Sequence, residues 1–143
     1  MTGIELIDIE RKRQMAEERW SSEHGGEYVD GELALAAVCY ATPVQLYVKN
    51  EQATCLSFND PWPASWDAGW DKRFSYGERK GDPRNRVPDP ATYADEERLD
   101  LLVKAGALIA AEIDRLQRVD QPKATSFSQR FFFLCDLSSP TEH

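Results

Sequence analysis

Residues 91–118, ATYADEERLDLLVKAGALIAAEIDRLQR, decide how this chain folds. The run holds no proline and a single glycine, and Leu99, Leu102, Gly106, Ile109, Ile113 and Leu116 recur at steps of three and four. That is the spacing of one face of an α-helix. Asp89 followed by Pro90 supplies an N-cap and a first helical position just upstream. The pattern predicts a core helix ending near Arg118, with the Leu99–Leu116 stripe buried. Asp100 with Lys104 and Asp114 with Arg118 are acid-first i,i+4 pairs, each worth about a few tenths of a kcal/mol. Ala105, Gly106, Ala107, Ala110 and Ala111 keep the middle turns slim, so a second helix can come close. Glu112 lies beside the stripe and needs a partner there; Arg115, three residues on, is the nearest.

Upstream of this helix the chain is broken into shorter pieces. Thr2 and Glu5 stand in capping-box relation, and the run to Trp20 lacks glycine and proline after Gly3, which predicts a first helix over about 4–20. Its apolar residues Leu6, Ile9, Met15 and Trp20 are few, as for a helix laid over a core. Residues 21–31, SSEHGGEYVDG, read as a loop. Asp30 then reads as the N-cap of a second helix from Gly31 to about Ala41, with Leu33, Ala36, Ala37 and Tyr40 in one stripe and Pro43 ending it. Val44, Leu46 and Val48 alternate ahead of Thr54–Phe58, so a short hairpin around KNEQ competes with a further helical turn. Residues 59–90, rich in proline and glycine, form a long irregular connection; such loops are functional or disordered. The tail, 119–143, carries Phe131, Phe132 and Phe133 with no helical or alternating period.

Composition limits the function classes. The 143 residues suit one domain, and the 17 basic and 25 acidic residues give a net charge of −8, which repels duplex nucleic acid and anionic membrane. The balance is uneven: Lys72, Arg73, Arg79, Lys80, Arg84 and Arg86 face only Glu78 and Asp82 in 72–86. Cys39, Cys55 and Cys135 form no metal or disulfide framework, no apolar run approaches the roughly 20 residues of a membrane span, and no secretory signal opens the chain. A cytoplasmic location is the expectation.

Two clusters are candidates for chemistry. Trp62, Trp66 and Trp70 lie four apart with Lys72 and Arg73 immediately after. They are either a core lid, or a surface on which a nucleobase stacks while the cations hold phosphate. Lys104, in the slim part of the core helix, is a further phosphate candidate. Glu23, His24, Glu27, Asp30 and Glu32 form the second cluster, either a solvated acidic turn or a weak Mg²⁺ site. No catalytic triad, phosphate-binding glycine loop or His-Glu-x-x-His helix is present.

ERKRQ at 10–14 with Trp20, HGGEYVDGELALAAVCYA at 24–41, PWPASW at 61–66 and LVKAGALIAAEIDRL at 102–116 resemble a group of small proteins encoded by bacteriophages and prophages. More distantly, the order of ERKRQ, GELALAA and a closing helix ending AEIDRLQR is similar to the MazG-like nucleoside triphosphate pyrophosphohydrolases. That resemblance implies an all-helical, oligomeric protein binding Mg²⁺ through a Glu-Glu-x-x-Glu helix and a Glu-x-x-Asp helix. Only Glu32 stands in the neighbourhood of the first motif, and Glu97-x-x-Asp100 matches the second.

The expectation is therefore a mainly α single domain over 1–143, built around one long C-terminal core helix with room for a short β-hairpin. Its leading function would be binding of a nucleotide-type small molecule, with sequestration of a nucleotide signal suiting such a protein as well as turnover, Trp66 and Trp70 stacking and Arg73 and Lys104 on phosphate. Glu32 and Asp100 are the weak metal candidates for Mg²⁺. The alternative is an acidic inhibitor that docks on a host or anti-phage defence protein through the first helix and the acidic loop. A Mg²⁺-dependent nucleotide pyrophosphohydrolase is third, its carboxylate motif being incomplete. A homo-oligomer is expected throughout.

Overall fold

The computed structural model describes residues 1–17, 28–80 and 86–119. Trp20, Glu23, His24, Glu27, Arg84 and the phenylalanines of the tail lie outside the described residues. The protein is mainly helical: α1 (Gly3–Glu17), α2 (Glu32–Ala41) and α3 (Asp95–Val119), with a small antiparallel hairpin of β1 (Val48–Lys49) and β2 (Phe58–Asn59) between α2 and α3.

The first helix starts as its sequence dictates. Glu5 N–H donates to Thr2 Oγ1 at 3.3 Å and Thr2 N–H donates to Glu5 Oε2 at 2.5 Å, the reciprocal pair of a capping box. These hydrogen bonds hold the Glu5 carboxyl below its ordinary pKa. The start of α2 differs from expectation. Gly31, at φ 81°, is its N-cap and supplies no side-chain bond, while the Glu32 carboxylate turns back to accept from Asp30 N–H at 2.9 Å. The left-handed conformation explains the glycine. Asp89 caps a separate 3₁₀ turn, Pro90–Thr92, and α3 opens later, with Ala94 N–H donating to Glu97 Oε1 at 3.0 Å.

Leu33, Ala36, Ala37 and Tyr40 of α2 are buried as their spacing predicts, packed with Leu101, Ala105, Leu108 and Ala111 of α3 and with Trp66. Alanines facing alanines let the two backbones approach, so the core is thin and dense. Arg98 in the first turn of α3 donates to the carbonyls of Tyr40, Ala41 and Thr42 at the end of α2. At the far end of α3 the charge of Glu32, at the start of α2, reaches Arg115. The two helices therefore run antiparallel.

This packing overturns the face assigned to α3. Leu99, Leu102, Ile109, Ile113 and Leu116 are between 42% and 54% exposed, and the residues that face α2 are Leu101, Ala105, Leu108 and Ala111 at 3% or less. Both sets repeat at helical steps. Close approach selects the face with small side chains, because α2 offers Ala36 and Ala37 opposite it.

α1 lies on a further side of α3, and its inner face is polar. Glu10, Arg11 and Gln14 are buried there, in place of the thin apolar stripe. Arg13 clamps Glu10 at 2.7 and 2.8 Å, Lys104 approaches Glu10 at 3.7 Å, and Arg11 reaches Asp114 at 3.5 Å. Burial pushes the Glu10 carboxyl up, but Arg13 and Lys104 together hold it below the ordinary carboxylate value. Ile7 supplies the apolar part, filling the notch that Gly106 leaves: a Cβ there would sit 2.5 Å from Ile7 Cδ1.

Candidate functional site

The tryptophan segment is not one helix. Asp67 accepts from Gly69 N–H at 2.7 Å and Asp71 accepts from Arg73 N–H at 3.0 Å, so two aspartates cap two consecutive 3₁₀ turns, Ala68–Trp70 and Lys72–Ser75. Such caps compete with α-helix and favour tight turns. The indoles still gather. Trp62 and Trp66 lie 5.5 Å apart at 80°, and Trp66 and Trp70 lie 5.8 Å apart at 67°. Tyr28 meets Trp66 edge-on at 5.3 Å, and Tyr40 is tilted against Trp62 at 5.6 Å.

Edge-to-face rings fill a core well but offer no parallel slot for a flat ligand. Trp66 is buried and belongs to the core cluster, with Trp62 packed against it. Trp62 Nε1 is buried without a hydrogen-bond partner among the described residues. Trp70 is exposed, while Trp62 and Tyr28 are half-buried. Tyr40 ties the segment to α2 by donating its hydroxyl to Trp70 O at 3.2 Å and accepting from Lys72 N–H at 3.0 Å.

Arg73 lies at the centre of this region. Its guanidinium donates to Asp60 at 3.1 and 2.7 Å and to Asp71 at 3.0 and 2.7 Å, and its Cζ sits 5.7 Å from the Trp62 ring centroid. It is 4% exposed. Burial works against the charge, but the hydrogen bonds to Asp71 and Asp60 outweigh it and raise the Arg73 pKa. A cation held by two carboxylates is not available to a phosphate without breaking the clamp. The adjacent cavity, about 10 Å³ in volume and lined by Cys39, Asp60, Arg73 and Pro88 among others, has the size of one water. Burial pushes the Cys39 thiol up to about 12, which leaves it protonated and inert.

Lys104 belongs to a different network. Its Nζ lies 3.1 Å from Asp100 and 3.7 Å from Glu10, between α1 and α3. Asp100 also accepts from the Tyr76 hydroxyl at 2.5 Å, and burial together with that carboxylate pushes the tyrosine up to about 12. Glu32 stands near Arg115, so it and Asp100 are separated by roughly four turns of α3, about 22 Å. The two carboxylates cannot share an ion. Among the described residues no group of three or more histidine, cysteine, aspartate or glutamate side chains is placed to hold a metal. Glu112 pairs with Arg115 at 2.8 and 2.9 Å, as its position predicts.

The structure thus brings Trp66 and Trp70 together, places Arg73 beneath Trp62, and leaves Lys104, Glu32 and Asp100 apart from them. What sequence reasoning missed is the role of Asp60 and Asp71. The signal was there: an aspartate two residues before Arg73, and another ahead of the Pro-Trp pair.

A second surface feature lies on α1. Met1, Glu5, Asp8 and Ile9 line an open groove of about 480 Å³. Ile4 and Ile9 are exposed on this helix, and of its exposed charged residues Glu5, Asp8 and Glu17 are acidic while Lys12 alone is basic. No described helix is long and apolar enough to cross a membrane. No protein family, curated protein or solved structure matches the chain.

Proposed function

We propose that this protein is an acidic docking module that binds another protein through the outer face of α1. The observation that carries the reading is the contrast in availability between its charges and its apolar side chains. Arg73 and Lys104 are spent on internal carboxylates, whereas Met1, Ile4 and Ile9 stand exposed beside Glu5 and Asp8. A groove lined by Met1 and Ile9 with Glu5, which closes the capping box, and Asp8, which pairs with Lys12 at 2.6 Å, suits a partner that presents an apolar patch beside a lysine or arginine able to compete for Asp8. On the phage resemblance, that partner is a host or anti-phage defence protein, and the module acts by occupying its surface.

Nucleotide binding is the second reading, and the exposed indole of Trp70, close in sequence to Lys72, favours it. A base would stack on the outside of the cluster, contributing about 1–3 kcal/mol. A thermal-shift screen of nucleotides and cyclic dinucleotides, with and without Mg²⁺, separates the two readings. Saturating ligand at a hundred times its dissociation constant adds about 2.7 kcal/mol, a clear rise in melting temperature. The docking reading predicts no shift. It also predicts that immobilised full-length protein retains a host protein at low salt and loses it at high salt, and that Ile4→Asp with Ile9→Asp removes it at low salt as well. A nucleotide-dependent shift that Trp70→Ala abolishes would replace docking with nucleotide binding.

A further inference from the structure

The stripe that α3 leaves in solvent has its own regularity. Leu99, Leu102, Gly106, Ile109, Ile113 and Leu116 are spaced three, four, three, four and three apart, the a/d repeat of a coiled coil. The order of spacings is the same read from either end. Two copies laid antiparallel about a two-fold axis between Ala107 and Leu108 therefore match every layer: Leu99 with Leu116, Leu102 with Ile113, Gly106 with Ile109, and the same again in reverse. A surface that complements itself under two-fold rotation is what a closed dimer requires.

The flanking residues agree with that register. On the α2 side of the seam, antiparallel pairing sets Arg98 of one copy at the level of Glu112 of the other, while Ala105 stays buried against α2 of its own copy. On the opposite side Val103 meets Gln117 and Ala110 meets Ala110. No like charges are brought opposite each other. The missing side chain at Gly106 leaves no hole, because Ile7 of the same copy fills it. Five aliphatic side chains about half exposed present on the order of 400 Å² of apolar surface, the size of the largest and often functional patch of a monomer. Two such seams bury on the order of 800 Å², the size of a small, reversible contact between copies.

We infer that this protein forms an antiparallel two-fold dimer through the outer seam of α3. The occupant of the seam is a second copy of the same chain. The inference does not rest on the reading of α1 as a docking face; α1 borders the seam through Ile7 at Gly106, and its outer face would be displayed twice by the dimer, so a bivalent docking module results.

Analytical ultracentrifugation of the full-length protein tests it with three chains. The wild type sediments as a dimer. Leu102→Glu puts a carboxylate opposite Ile113 in two layers and raises the dimer dissociation constant at least a hundredfold, with unchanged helical circular dichroism. Leu102→Glu combined with Ile113→Lys restores the dimer, since each glutamate then faces a lysine of the other copy; in a parallel pairing the same double change sets like charges together. Recovery of the dimer also shows that Leu102→Glu had not unfolded the chain. A wild type that stays monomeric overturns the inference, and slow amide exchange along the seam of that monomer assigns it to the chain's own tail. A wild-type dimer that the single change leaves intact, or that the double change fails to restore, overturns the seam and its register.

Discussion

The two faces of α3 have equal claim to be the core by periodicity, and they meet opposite fates. Leu101, Ala105, Leu108 and Ala111 are sealed against α2, while Leu99, Leu102, Ile109, Ile113 and Leu116, larger on average, remain half in solvent. Hydrophobic bulk alone would have chosen the other way. What decides is the partner: α2 is only ten residues long and presents Ala36 and Ala37, so the most favourable contact is the one in which backbones come closest. The larger face is the one on which the proposed dimer is built.

Substitutions on the two faces should therefore differ sharply in cost. The largest effect belongs to the clamp that holds the irregular tryptophan segment over the inner face: Arg73→Ala leaves Asp71 buried without its cation and should cost about 3–5 kcal/mol in denaturant unfolding. Next is Leu101→Ala, which empties a fully buried site and should cost about 2–5 kcal/mol. Overpacking the same face with Ala105→Leu should cost about 1–3 kcal/mol. On the outer face, Ile109→Ser should leave the stability of the dilute monomer within about 0.5 kcal/mol and remove the concentration dependence of melting that a dimer shows. Equal costs for Leu101→Ala and Ile109→Ser in dilute protein would erase the distinction between the faces.

The face toward α1 offers a pH test. The Glu10 pKa is lowered in the folded state, so its contribution is fully present above the ordinary value of 4.5 and is lost as pH falls through the lowered one. Acid titration should loosen α1, read as faster amide exchange in 4–14 before the α2–α3 core melts. Glu10→Gln should remove that step.

Much of the architecture was legible in the residues. The capping box at Thr2 and Glu5, the α2 stripe ending at Tyr40, the existence of α3 and the Glu112–Arg115 pair follow from local chemistry, and local chemistry is what sequence displays. The buried face of α3 was not legible, because two helical stripes share one period and the choice depends on Ala36 and Ala37, which are far away along the chain. The Asp30 cap failed for a similar reason: Glu32 reaches back to the Asp30 amide, and a left-handed Gly31 stands where the cap was expected. At the tryptophans, the spacing of four suggested one helical face, but Asp67 and Asp71 divide the segment into tight turns. Arg73 looked free although Asp71 stands two residues before it, because its second carboxylate, Asp60, comes from the far side of the tryptophans; Lys104 pairs with Asp100 as the i,i+4 spacing predicts, and only its approach to Glu10 of α1 is hidden from sequence.

The orientation of α3 can be measured directly by thiol labelling in dilute protein with Cys55 and Cys135 replaced by serine. The thiol of Ala105→Cys, facing α2, should react only as the protein unfolds, and that of Ile109→Cys should react at nearly the rate of a free peptide. The reverse order of rates would mean that the larger stripe is the core after all, and both the inner packing and the pairing seam would fall with it.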